Sequence, residues 1–99
     1  MRLTELEPQF RTDIRKDGKI FLGKVDTFAE AQGITFTCPR CANGHWIGVW
    51  FKDKGASAEA EPLHRWAATG TGYDDLTLTP SINAGSNCWH GFITNGEVT

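Results

Sequence analysis

No stretch of the chain approaches the roughly 18 consecutive apolar residues of a membrane-spanning helix. Its opening, MRLTELEPQF, lacks the apolar core of a signal peptide, so the expected location is the cytoplasm, that of a host if the gene is a phage's. Hydrophobic residues are scarce for a chain that must fold by packing, 39% of 99 positions. At that length burial is only modestly favourable, and a metal or a partner would help the core hold. Cysteine is sparse and odd in number, three in all, which fits a closed disulfide framework poorly. Basic charge is not in excess: the formal net charge is -2, which removes an overall electrostatic case for nucleic acid. There is no internal repeat and no low-complexity segment.

Aromatic residues are plentiful, with 4 Trp and 6 Phe, so the chain is no disordered tail. The 11 glycines imply many turns. Six of the ten basic residues (Arg2, Arg11, Arg15, Lys16, Lys19, Lys24) lie early, but Glu5, Glu7, Asp13 and Asp17 are mixed among them. That pattern reads as a solvated strand-and-turn face.

Polar and apolar residues alternate through LEPQFRTDIRKDGKIFLG, around Asp17-Gly18, which predicts two strands and a hairpin turn. DTFAEAQG is the one helix candidate, short, with Thr27 as N-cap, Glu30 three residues on and Gly33 as its stop. ITFT and HWIGVWF read as strands, 52–62 as a flexible loop, LHRWAAT and DLTLTP as strands, and INAGSN as a loop. CWHGFITNGEVT ends the chain as a hairpin turning at Asn95-Gly96. The expected fold is mainly β, a small α+β domain over residues 1–99. It has an antiparallel sheet, one short helix and a zinc-ribbon-like knuckle that crosslinks the centre to the C-terminal hairpin.

The knuckle is TFTCPRCANGHW. A redox dithiol places its first cysteine at a helix N-terminus, where the dipole activates the thiol. Here ANGHW runs into a strand pattern, so the dithiol reading is the weaker one. Metal binding gains from a second half-site, Cys88 and His90 in NCWHGF. On an extended segment these two point to one face and Trp89 to the other. Cys38, Cys41, Cys88 and His90 make a three-thiol, one-imidazole set suited to tetrahedral zinc. His45, four residues after Cys41, is the alternative fourth ligand. His64 reads as a surface or partly buried histidine.

No acid-base constellation is visible. A zinc deaminase needs His-x-Glu before Pro-Cys-x-x-Cys, and no histidine precedes Cys38. There is no His-Glu-x-x-His pair. Pro80-Ser81 suggests a nucleophile, but no base stands at a recognisable spacing, and Ser after Pro reads as a turn start. Trp89, pushed outward beside the metal, is expected to be a partner-binding residue. Arg40, between the knuckle cysteines, is a candidate contact to a partner or a phosphate.

FTCPRC, DDLTLTPSI and CWHGFITNGEV resemble a family of small phage and bacterial proteins of unknown function. LTELEPQF and AQGITF resemble its N-terminal half, so the likeness covers most of the chain. Carried over, Cys38, Cys41, Cys88 and His90 fall on that family's metal positions. Phage relatives read Cys-Gly-Trp-His, whereas CWH here has one residue fewer, which returns weight to His45. Many phage members bear the label ammonia monooxygenase, an activity that a thiolate-rich site in a chain without a spanning helix does not suit. Other bacterial relatives keep company with ubiquitin-like conjugation systems. The resemblance implies a zinc-binding accessory module with a structural metal and a protein partner. The alternatives are a nucleic-acid-binding zinc ribbon and a zinc-dependent hydrolase or deaminase-like enzyme.

Overall fold

In the computed structural model the described residues are 1–17, 19–41, 44–52, 54, 65–85 and 88–99. Most of the loop expected at 52–62 lies outside them, as does His64. The strands are β1 (Gln9–Lys16), β2 (Lys19–Lys24), β3 (Gly33–Thr37), β4 (Trp46–Trp50), β5 (Ala67–Thr69), β6 (Thr77–Asn83), β7 (His90–Thr94) and β8 (Glu97–Val98). They form two antiparallel four-stranded sheets, in the orders β2-β1-β3-β4 and β5-β6-β7-β8.

Alternation builds the core. In β4 (Trp46–Trp50) Ile47 and Val49 face inward, with Trp46 and Gly48 exposed and Trp50 half-buried, and in β7 (His90–Thr94) Gly91 and Ile93 face inward between exposed neighbours. Phe10, Ile34 and Phe36 from the first sheet, with Phe51 just past β4, join Leu78, Ile82, Ile93 and Val98 from the second in one buried cluster. Tyr73 stacks on Phe10 with ring centroids 4.3 Å apart, and its hydroxyl accepts from the Phe10 N–H at 2.9 Å.

The hairpins fall where the turn residues set them. β1 and β2 pair from Arg11 opposite Lys24 to Lys16 opposite Lys19. At the C-terminus Asn95 (φ 49°) and Gly96 (φ 76°) both take the left-handed conformation that a two-residue hairpin turn demands. The expected helix is instead a single 3-10 turn, Phe28–Glu30, with Thr27 capping the Glu30 N–H at 3.3 Å. Three residues cannot repay helix nucleation, and the Gln32 N–H is drawn to the Arg11 carbonyl at 2.7 Å. A second 3-10 turn, Leu3–Leu6, buries Leu3 and Leu6 against the core.

β6 runs on through Pro80 to Asn83, three residues beyond the predicted strand. Its pairing with β7 slips on the way: Leu78 faces Ile93, but Ile82 faces Gly91. Thr79, Pro80 and Ser81 therefore share a bulge opposite Phe92 alone.

Candidate functional site

Two clusters of chemically capable side chains meet at the connection between β6 and β7. The first comprises the cysteines. Cys38 directly follows β3, and its N–H donates to the His45 carbonyl at 2.8 Å, closing the knuckle before β4 begins. The Cys41 N–H donates to the Cys38 sulfur at 3.4 Å. Cys88 enters from the β6–β7 connection, where its N–H bonds the Gly85 carbonyl at 3.1 Å. One potential ligand atom from each of Cys38, Cys41, His45 and Cys88 lies within 4.8 Å of the others. The cluster thus ties the middle of the chain to its C-terminal hairpin.

Two chemistries compete there. Cys41 and Cys88 stand at disulfide separation, with Cα atoms 5.7 Å apart, and Cys38 is a buried thiol outside that pair. Burial pushes the Cys38 thiol up. The N–H groups of Arg40, Cys41 and Trp89, with the His45 side chain, outweigh it and bring the pKa down from 9.0 to about 7. Hydrogen bonds aimed at that sulfur favour the thiolate, the form that binds a metal. Three sulfurs and one imidazole fit zinc once Cys41 and Cys88 are reduced.

The fourth member is His45, and His90 stands apart. An extended 88–90 segment would turn Cys88 and His90 to one face, but Cys88 lies in a turn. Strand alternation begins only afterwards. Trp89 is 7% exposed and meets Phe36 edge-on, centroids 5.9 Å apart. It is a core residue, which corrects the expectation of an outward partner contact. Arg40 is exposed.

The second cluster is a pair. His90 points outward from β7, and its Nε2 lies 3.3 Å from Ser81 Oγ. Ser81 belongs to the bulge of β6, a device that re-aims a side chain off the regular ladder. The indole Nε1 of Trp66 donates to the Ser81 carbonyl at 3.3 Å. A serine hydroxyl within reach of an imidazole has the arrangement that a nucleophile and its general base require, and such contacts are often long before substrate binds. Sequence spacing did not expose this pair because the base arrives by strand pairing. The signal was present in the order strand, INAGSN loop, strand, which folds His90 back beside Ser81.

A family model described as bacterial ubiquitination-like system serine protease (BubE) matches residues 7–99. No curated protein and no solved structure matches the chain. The family description overturns the reading of a non-enzymatic zinc-binding accessory module, along with its nucleic-acid and zinc-hydrolase alternatives. It agrees with the resemblance to proteins near ubiquitin-like conjugation systems, and neither a phage origin nor ammonia oxidation is part of it. Among the described residues no helix is long and apolar enough to cross a membrane.

Proposed function

The chain belongs to the family of bacterial ubiquitination-like system serine proteases (BubE), and from that premise we propose that it is a peptidase with Ser81 as nucleophile and His90 as general base. The observation that carries the reading is the 3.3 Å contact between Ser81 Oγ and His90 Nε2. Ser81 Oγ attacks the scissile carbonyl carbon while its proton passes to His90 Nε2. The tetrahedral intermediate collapses as His90 returns that proton to the departing amine, leaving an ester on Ser81. Water, deprotonated by His90, then hydrolyses the ester and restores both groups.

The substrate in this reading is a polypeptide of the ubiquitination-like system that the family description names. His90, Phe92 and Thr94 share the exposed face of β7, with Phe92 52% exposed. A peptide laid on that face meets an aromatic ring beside the nucleophile, which suits an apolar residue next to the cleaved bond.

In the same reading Cys38, Cys41, His45 and Cys88 hold a structural zinc in the reduced protein. The ion supplies a crosslink, and all four ligand positions are filled by protein. Its thiolates require a reducing compartment, in keeping with the cytoplasm. Ser81 and His90 are no part of that ligand set.

A fluorophosphonate probe, which reacts with activated serines, tests the proposal. Wild-type protein takes one label, peptide mapping finds it on Ser81, and both Ser81→Ala and His90→Ala abolish it. Labelling that persists in Ser81→Ala refutes the assignment.

A further inference from the structure

Ser81 sits where the second sheet loses its regular ladder. β5 pairs with β6 only as far as Ala67 opposite Thr79. Continuing that register sets Trp66 opposite Pro80, which brings no N–H to extend the pairing. On the other side of β6, the bulge interrupts the pairing with β7. The backbone that carries the nucleophile therefore needs another support.

Trp66 supplies one. Its indole N–H donates to the Ser81 carbonyl at 3.3 Å. Trp66 is itself fastened to the first sheet: its N–H donates to the Trp50 carbonyl at 3.0 Å, and its carbonyl accepts from the Lys52 N–H at 2.7 Å. Its ring packs against the shared core. The indole thus spans from the end of one sheet to the bulge of the other.

We infer that Trp66 is a positioning residue for the nucleophile: its indole N–H, anchored to the first sheet, holds the Ser81 backbone so that Oγ stays in reach of His90. The inference rests on the reading of Ser81 and His90 as nucleophile and base. Trp66 acts through the Ser81 carbonyl and touches no reacting atom. Small errors in placing a nucleophile are costly, since reacting groups gain most of their advantage from alignment.

Trp66→Phe keeps an aromatic ring in the core and removes the N–H. The test is saturation kinetics of fluorophosphonate labelling, which separate the probe's binding constant KI from the rate constant of reaction kinact. The expected result is a kinact lower by roughly tenfold at unchanged KI, with the melting temperature close to wild type. A purely structural role would lower the melting temperature and the labelled fraction while sparing kinact of the folded molecules. If Trp66→Phe fails to fold, 3-benzothienylalanine at position 66 replaces N–H by sulfur within nearly the same ring outline and carries the comparison. Wild-type kinact in the folded variant overturns this inference and leaves Ser81 and His90 standing. A wild-type chain that takes no label at Ser81 overturns both.

Discussion

Cys88 and His90 are separated by one residue, yet they serve different clusters. Cys88 directs its sulfur to His45 Nδ1 at 3.8 Å, while His90 directs its Nε2 to Ser81 Oγ at 3.3 Å. Between them Trp89 is buried against Phe36. The base of the proposed peptidase is therefore placed by a segment pinned at both of its preceding residues, one by sulfur and one by packing.

The first prediction follows from that pinning. Cys88→Ser removes both the disulfide and a metal ligand and leaves Ser81 and His90 intact. Fluorophosphonate labelling of Ser81 should slow by on the order of tenfold, because the β6–β7 connection no longer fixes the start of β7. Labelling at the wild-type rate would mean that the cysteine cluster and the catalytic pair are mechanically independent.

His45 and His90 should separate cleanly by two measurements. Protein purified under reducing conditions should hold about one zinc per chain by inductively coupled plasma mass spectrometry, as a filled four-ligand site requires. His45→Ala should lose most of that zinc. His90→Ala should keep it and lose the serine label. Oxidation that closes Cys41 to Cys88 should release the metal, since a disulfide sulfur is no thiolate. Zinc lost from His90→Ala and kept in His45→Ala would reverse the ligand assignment.

What could be read from the residues was whatever depends on local chemistry. Asn95-Gly96 specifies its own turn, and Cys38-x-x-Cys41 specifies a knuckle whatever surrounds it. DTFAEAQG forms its short helix as one 3-10 turn, Phe28–Glu30, because the Thr27 capping signal fixes no more than that. Trp89 does lie opposite His90, as alternation requires, but its side is the core and not the solvent: the phase that buries Gly91 and Ile93 buries it too. The Ser81–His90 pair was missed for a different reason. A bulge shifts the register of β6 against β7, and no feature of LTLTPSI states how far. Trp66 and Ser81 likewise meet only because one sheet ends beside the other.

Trp89→Ala offers a direct test of the corrected position of that side chain. A buried Trp truncated to Ala costs about 3–5 kcal/mol, from lost burial and the cavity left behind. Chemical denaturation of the metal-loaded, reduced protein should show a loss of that size. A change within about 0.5 kcal/mol would be the mark of a surface residue and would restore the partner-contact reading.

The last prediction concerns pH. Asp75 closes the turn between β5 and β6: its Oδ1 accepts from the Thr71 and Gly72 N–H groups at 2.8 and 2.9 Å, and its Oδ2 from the Thr71 hydroxyl at 2.8 Å. The N–H of Thr71 leads in holding its carboxyl below the ordinary 3.8, followed by that of Gly72 and the Thr71 hydroxyl. A carboxyl with a depressed folded-state pKa binds its proton less readily when folded than when unfolded. Its contribution to stability is complete above 3.8 and is lost as the pH falls through the lower folded value. Asp75→Asn removes the charge, and its amide nitrogen cannot accept the Thr71 hydroxyl. The variant should melt a few degrees below wild type at neutral pH, and the two melting curves should converge as the pH drops beneath 3.8. A gap between the two proteins that stays constant into acid would mean that the charge on Asp75 contributes nothing to holding the turn that leads into the strand of Ser81.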